Sequence, residues 1–339
     1  MHKTYIIAEM SANHCGDKEL AKQIILAAHE IGADAVKVQT YTADTITIDC
    51  RSRIFQTADN GLWAGQTLYE LYQKAYTPWE WQGELKAYAD KLGIDFFSTP
   101  FDYTAVDFLE EIGVPKYKIA SFEAIDYPLI KYTAAKGKPM IISVGISSFD
   151  EIEEAVNACK QVGNHDITLL KCTSAYPAQL EDMNINTIRD MVEHFGPMGV
   201  KIGLSDHSMN IEPVIAAVAL GARVIEKHFT LDRSLGGEDS AFSLNKEEFA
   251  AMVQAVRNTE KVLGGIDYTN GLSNRKYARS LFAVQDIKKG EVFTPQNVRS
   301  IRPSDGLHPR YYEQILGKPA TKDLPFGTPL DTTCFEESL

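Results

Sequence analysis

The chain is short of the features that most quickly place a protein in a class. It has five cysteines in 339 residues (Cys15, Cys50, Cys159, Cys172 and Cys334), and no two form a CxxC pair. An odd number at wide spacing argues against a disulfide framework and for a reducing, cytoplasmic setting. No run approaches the ~20 apolar residues that a membrane span requires. The opening MHKTYIIAEM enters a strand pattern at once, without a basic segment followed by a long apolar run, so no secretory leader is expected. Positive charge is also scarce, with 34 Lys and Arg against 46 Asp and Glu and a formal net charge of −12. Binding a phosphate backbone needs clustered Lys and Arg, so neither nucleic acid nor a membrane is an expected partner. Small anions stay open, because a few local cations hold them whatever the net charge. No Gly-rich dinucleotide loop or P-loop follows any strand-like run, which counts against a doubly wound open sheet.

What is present is alternation. Short β-branched runs at 5–10, 34–40, 95–100, 117–121, 139–145, 167–173, 200–206 and 224–229 alternate with longer helical patterns, most of which end in Gly. Strands alternating with helices predict a parallel sheet covered on its outside. Eight such units predict an α/β fold, a (βα)8 TIM barrel over residues 1–265. Residues 266–276, IDYTNGLSNRK, are rich in turn formers without apolar periodicity and read as a linker. Residues 277–339 show short strands with Lys-Gly and Pro turns, which predicts a small mostly-β domain. One insertion interrupts the barrel pattern: residues 41–77, with GLWAGQTLYELYQKAY, are too long for an ordinary βα loop and suggest a functional one. Thr77-Pro78-Trp79-Glu80 then predicts a helix start, with Thr77 as N-cap, Pro78 as first helical residue and Glu80 completing a capping box.

Active sites of such barrels lie at the C-terminal strand ends. The polar residues in and just after the strand runs are Glu9, Lys37, Gln39, Thr99, Lys118, Ser121, Glu123, Ser143, Ser174, Tyr176, Ser205, His207, Glu226 and His228. Lys37 and Lys118 interrupt strands, and a buried ammonium needs an anionic partner. That partner is either a structural one, Glu9 or Glu123, or a ligand. Two such lysines accompanied by Thr99, Ser121, Ser143 and Ser205 favour an oxyanion site, since phosphate and carboxylate oxygens take ammonium and hydroxyl donors. His207 and His228 end neighbouring strands. Either they share a metal ion, leaving positions for water and substrate, or one is a core histidine and the other a general base. Glu9 closes the barrel beside them and is placed to orient or deprotonate a water. Asp239 lies in LGGEDSAFS, where a loop-capping turn is the simplest role.

Taken together, IIAEMSANHCG, AVKVQT, FFSTPFD, YKIASFE, KCTSAYP, IGLSDHS, ALGARVIEKHFT, DIKKGE and IRPSDG resemble the sialic acid synthase family, in order and over the whole chain. GLWAGQTLYELYQKAYTPWEW and RPSDGLHP look most like its pseudaminic acid synthases. The resemblance implies a (βα)8 barrel followed by an antifreeze-like (SAF) domain, in a domain-swapped homodimer. It implies condensation of phosphoenolpyruvate with an N-acetylated amino sugar, 2,4-diacetamido-2,4,6-trideoxy-L-altrose, with C–O cleavage. Lys37, Thr99, Lys118, Ser121, Ser143 and Ser205 would hold phosphoenolpyruvate. His207 and His228 would bind a divalent metal, Mn2+ or Mg2+, and Glu9 would steer or deprotonate water. Gln39, Glu123, Tyr176 and Asp239 would face the sugar, and Arg302 would reach its acetamido group from the partner subunit. Ser174 stands where the N-acetylneuraminate synthases have Asn, so a water would join it to the substrate. The alternatives are an N-acetylneuraminate or legionaminic acid synthase, a Schiff-base aldolase using Lys118 or Lys171, and a non-catalytic binding protein.

Overall fold

The structure, a computed structural model, describes residues 3–59 and 61–336. It divides into two compact units, one ending at Gly264 and the other beginning at Gly265.

In the first unit eight parallel strands close a barrel in the order of the chain. They are β1 (Tyr5–Glu9), β2 (Ala35–Thr40), β3 (Asp95–Pro100), β4 (Tyr117–Ile119), β5 (Met140–Ser143), β6 (Ile167–Cys172), β7 (Lys201–Asp206) and β8 (Val224–His228). All eight predicted runs are strands. β8 pairs with β1 to complete the ring, with Glu9 opposite His228 and, on the other side, opposite Lys37. The helices that cover it are α1 (Lys18–Glu30), α2 (Ala43–Ile46), α3 (Leu68–Ala75), α4 (Trp79–Leu92), α5 (Tyr103–Glu111), α6 (Tyr127–Ala134), α7 (Phe149–Gln161), α8 (Thr187–Phe195), α9 (Glu212–Ala219) and α10 (Lys246–Leu263). Several of their starts are held by side chains that satisfy orphan amides: Asp17 caps α1, and Ser148–Glu151 and Asn245–Glu248 make capping boxes on α7 and α10. No helix among the described residues is long and apolar enough to cross a membrane.

Strand side chains alternate between two surroundings. Ile6, Ala8, Val36, Val38, Phe96, Ile119, Ile142, Leu169, Ile202, Leu204 and Ile225 are buried in the main hydrophobic core. At about 25 cal/mol per Å2 of apolar surface this layer supplies the main driving force for closing the barrel. The alternate positions, among them Glu9, Lys37, Ser143, Ser205, Glu226 and His228, line a cavity at the C-terminal strand ends.

Two local expectations differ from the structure. Thr77 does not cap α4; the helix begins at Trp79 after Pro78, with no side-chain cap. The Thr77 hydroxyl lies 3.2 Å from His14 Nε2, and its carbonyl accepts from Gln82 Nε2, so tertiary partners take the group a cap would use. The 41–77 insertion is also more ordered than a loop, since it contains α2, α3 and a bridge between Gln56 and Thr67.

In the second unit β9 (Ser280–Ala283) and β10 (Val298–Ile301) pair antiparallel. Leu281, Ile287, Phe293, Val298, Ile315, Leu324, Leu330 and Phe335 form its core. Its only α-helix among the described residues is the four-residue α11 (Tyr312–Ile315). The stretch expected as a linker belongs to this unit, and 272–277 within it form a 3-10 helix.

Candidate active site

Glu226 lies between two ammonium groups at the centre of the site. Lys118 Nζ is 3.5 Å from its Oε1, and Lys37 Nζ is 3.9 Å from its Oε2. Ser205 Oγ donates to Glu226 Oε1 at 3.1 Å. Lys37 also contacts the Glu9 carboxylate and donates to Thr99 Oγ1 at 3.1 Å, while Lys118 Nζ donates to the Ile119 carbonyl at 3.1 Å. All four charged side chains are buried.

Burial and charge work against each other here. Burial pushes the Glu9 carboxyl up to about 7, with Glu226 adding to the rise and Lys37 opposing it. Burial also pushes Glu226 up, but Lys118, Lys37 and His207 more than reverse this and hold it below the usual carboxylate range. Lys37, with two carboxylates, is held above its ordinary value despite burial. Lys118 falls below its own, because burial wins. The two carboxylates therefore hold Lys37 firmly charged, burial works against the charge on Lys118, and Glu9 changes protonation near neutral pH.

Hydroxyls extend this cationic floor. Ser174 Oγ donates to Ser121 Oγ at 3.0 Å. Both pack on Gly145, where a Cβ would fall 2.5 Å from Ser174 Oγ and 2.9 Å from Ser121 Oγ. Ser143 Oγ is buried and has no hydrogen-bond partner. A buried hydroxyl without a partner costs free energy, and one facing a cavity beside two lysines is placed to donate to a bound anion.

The two imidazoles stand on the other side. The rings of His207 and His228 lie 5.3 Å apart, centroid to centroid. His207 Nδ1 is 3.1 Å from the Thr173 carbonyl and 3.8 Å from Cys172 Sγ. His228 Nδ1 is buried without a partner. Burial, together with His207 and Lys37, holds His228 well below the ordinary histidine range. It is therefore neutral at pH 7, the form in which imidazole binds a metal. Among the described residues no group of three or more His, Cys, Asp and Glu is arranged to hold a metal. Burial pulls His207 down, but Cys172, the Thr173 carbonyl and Glu226 more than reverse this and hold it above the ordinary histidine range, so His228, with its unused nitrogen, is the better placed of the two for an ion whose other positions go to water and substrate.

The remaining predicted residues fall around this centre. Gln39 and Tyr176 line the same cavity, and Tyr176 packs on His207 at 4.6 Å between ring centroids. Glu123 sits on a 3-10 turn with Ser121, and burial pushes its carboxyl up to about 7 against the pull of Lys118. Asp239 accepts from Ser11 Oγ and from the Ala12 amide, so it ties the loop after β8 to the loop after β1. Arg302 is an exposed residue of the second unit, just after β10. Lys171 donates to Thr173 Oγ1 and faces a separate cavity with Val144 and Asp182.

Three contributors have no role that the sequence alone assigns. Glu226 was only one of the strand-end polar residues; its signal was its position two residues before His228, which puts both on one face of β8. Phe242 packs 4.8 Å from the His228 ring, and Trp63 in turn packs on Phe242 and Tyr176. Nothing in local periodicity points to that cluster.

An eight-stranded barrel with a lysine and hydroxyl anion site beside paired histidines at its C-terminal mouth defines a (βα)8-barrel enzyme of small anionic substrates. The chain belongs to the NeuB family, whose model matches residues 24–268, and a SAF domain follows at 278–336. This is the sialic acid synthase family that the motifs resemble. The chain is 48% identical to the pseudaminic acid synthase of Campylobacter jejuni subsp. jejuni serotype O:23/36 (strain 81-176), over 98% of its own length and 97% of the relative's. It is 46% identical to the pseudaminic acid synthase of Helicobacter pylori (strain ATCC 700392 / 26695), over 98% of each chain. The N,N'-diacetyllegionaminic acid synthase of Campylobacter jejuni subsp. jejuni serotype O:2 is more distant, at 38% over 95% of this chain and 97% of the relative. Among solved structures, the N-acetylneuraminic acid synthetase of Leptospira borgpetersenii serovar Hardjo-bovis, solved with citrate, is 33% identical with a TM-score of 0.71, over 81% of this chain and 90% of that one.

Proposed function

We propose that the enzyme condenses phosphoenolpyruvate with 2,4-diacetamido-2,4,6-trideoxy-L-altrose and water, giving pseudaminic acid and phosphate. The observation that carries the reading is the pair of buried lysines, with partnerless Ser143 beside them, facing the two imidazoles. High identity to pseudaminic acid synthases over nearly the full length supports the sugar.

Phosphoenolpyruvate carries a carboxylate and a phosphate. Lys37 and Lys118, with Thr99, Ser121, Ser143 and Ser205, would hold these two groups and align the C2–C3 double bond. Gln39, Glu123, Tyr176 and Asp239 would orient the sugar so that its aldehyde carbon meets C3. A new C–C bond forms there, and the aldehyde oxygen takes a proton. Glu9, with its carboxyl near 7, is suited to accept a proton from the water that adds at C2. The C2–O bond then breaks and phosphate leaves. Ser174, too short to reach as an amide would, is assigned a water-mediated contact. A divalent ion, Mn2+ or Mg2+, held by His207 and His228 would supply Lewis acidity at the aldehyde oxygen. Arg302 would complete the sugar site from the partner in a domain-swapped homodimer, a state that sedimentation giving the mass of a single chain would remove. The setting is cytoplasmic, in keeping with unpaired cysteines.

The deciding experiment measures phosphate release from phosphoenolpyruvate carrying oxygen-18 at the bridging position. It is run against the diacetamido-altrose, the corresponding diacetamido-mannose analogue and N-acetylmannosamine. The altro sugar should be used preferentially and the label should leave with phosphate. Preference for either other sugar removes the sugar assignment, and label retained in the sugar acid removes C–O cleavage.

Metal dependence is checked separately. Dialysis against EDTA should abolish turnover and Mn2+ should restore it, while His228→Ala should lose the protein-bound Mn2+ signal in electron paramagnetic resonance. Full activity in EDTA with a borohydride-trapped pyruvyl–lysine adduct would instead favour a Schiff-base aldolase.

A further inference from the structure

The 41–77 insertion does not merely pass over the barrel mouth. Its central part is closed by the antiparallel bridge between Gln56 and Thr67. Inside that closure the Thr57 hydroxyl is 2.7 Å from the Trp63 carbonyl, and the Thr57 amide donates to the Gln66 carbonyl at 3.0 Å. These bonds fix the backbone at Trp63, whose side chain is half-buried. Trp63 Nε1 donates to the Glu238 carbonyl at 3.0 Å, in the loop after β8. The next residue, Asp239, is tied to Ser11 and Ala12. The Trp63 backbone is thus held within its own loop, and its indole is tied to the loop after β8.

Its ring packs against two other aromatics, tilted on Tyr176 and edge-on with Phe242. The Trp63 ring lies 6.0 Å from Tyr176 and 6.3 Å from Phe242, between centroids. Tyr176 and Phe242 are themselves 5.1 Å apart, and they pack on His207 and His228 at 4.6 and 4.8 Å. The order outward from the imidazoles is therefore histidine pair, then Tyr176 and Phe242, then Trp63. A sugar whose reacting carbon stands at the imidazoles and whose chain runs along Tyr176, which lines the cavity, would bring its far end toward Trp63.

We propose that Trp63 is a specificity-determining residue, forming with Tyr176 an aromatic wall, backed by the buried Phe242, that receives the C4–C6 end of the sugar. This rests on the sugar assignment above, and the chemistry fits it. The proposed substrate carries an acetamido group at C4 and a methyl at C6 where a common amino sugar carries hydroxyls. Aromatic faces take methyl groups and leave hydroxyls without partners. The wall therefore discriminates in two ways, by burying the methyls of the right sugar and by stranding the hydroxyls of the wrong one.

The test compares wild type, Trp63→Ala and Trp63→Phe on two sugars of the same configuration. One is 2,4-diacetamido-2,4,6-trideoxy-L-altrose; the other is 2-acetamido-2-deoxy-L-altrose, which keeps the hydroxyls at C4 and C6. Trp63→Ala should raise KM for the first about tenfold or more, while KM for the second and for phosphoenolpyruvate moves about twofold or less. Trp63→Phe, which loses the N–H but keeps an aromatic face, should retain most of the discrimination. A parallel rise in all three Michaelis constants would mean that the indole only supports the fold, and unchanged constants would mean that it touches no substrate; either overturns the proposal. If wild type prefers the diacetamido-mannose analogue, the altro assignment fails alone. The same comparison on that sugar and its 4,6-dihydroxy counterpart then decides the wall: discrimination lost in Trp63→Ala upholds it, and discrimination kept sinks it.

Discussion

Replacing Lys118 with Ala should lower kcat/KM for phosphoenolpyruvate by about a hundredfold or more, with the barrel still folded. Truncating one member of a buried, hydrogen-bonded charge pair costs about 2–5 kcal/mol where a ligand depends on it, or roughly 30- to 5,000-fold. Lys118 is placed for the upper part of this range. It is buried on β4, and its ammonium reaches Glu226 and the Ile119 carbonyl. Its loss removes one of two cations and also leaves Glu226 with Lys37, at 3.9 Å, Ser205 and the more weakly acting His207 to balance it. A carboxylate freed in this way repels an incoming trianion. Lys118→Met, which keeps the bulk, should fall nearly as far, because the missing element is charge and not volume. KM for the sugar should change about threefold or less, since the sugar's own polar groups meet other residues. Steady-state kinetics with each substrate varied in turn provides the check. If kcat/KM for phosphoenolpyruvate in Lys118→Ala stays within about threefold of wild type, the anion is not held at this lysine, since even the smallest charge-pair loss exceeds that factor.

The second large effect is on stability and arises behind the site. The outer faces of the strands are mostly apolar, yet Asp206 of β7 and Lys227 of β8 meet there with side chains 0% and 0% exposed, at 2.5 Å. Lys227 also donates to the Ser208 carbonyl at 2.6 Å, and Asp206 accepts from the Ser208 amide at 2.8 Å. Asp206 directly precedes His207, and Lys227 directly precedes His228. Asp206→Ala should therefore destabilise the barrel by about 3–5 kcal/mol, as expected when a buried charge loses its partner. The double change Asp206→Leu with Lys227→Met should recover most of this, because two apolar groups of similar size need no counter-charge. Urea denaturation followed by circular dichroism gives both numbers. A cost below about 1 kcal/mol for Asp206→Ala would place the pair among ion pairs of negligible net worth.

Much of the barrel could be read from the chain because each strand is short, β-branched and followed by a helix ending in Gly. The strand-end lysines, hydroxyls and histidines were readable for a related reason: period two assigns each strand residue a side, and charge on the inner side demands a partner. Who the partner is could not be read in the same way. Lys37 was open to Glu9 or Glu123, and it contacts Glu9, its neighbour across the β1–β2 ladder. Glu226 was visible as a strand-end polar residue, yet its place between two lysines depends on ring closure. Thr77 failed as a cap because His14, 63 positions earlier, meets its hydroxyl. Trp63 and Glu238 are 175 positions apart, and no local pattern joins them. Short-range periodicity yields the elements; contacts between distant loops follow only from three-dimensional closure.

β8 alternates Glu226, Lys227 and His228 between the two sides of the barrel wall. Ser205 and Asp206 stand level with Glu226 and Lys227 on β7, and Glu9 stands level with His228 on β1. Such a strand can be read in one frame only. Deleting or inserting a single residue would turn the ammonium of Lys227 into the cavity and the carboxylate of Glu226 into the apolar layer under the helices, reversing both polarities at once. Divergence among relatives should therefore enter this part of the chain as substitution within the strand and as length change only beyond His228, in the loop that carries Glu238 and Asp239. That partition separates two kinds of evolutionary freedom: the strand keeps the frame of the chemistry, while the loop can be lengthened or shortened to suit a different sugar.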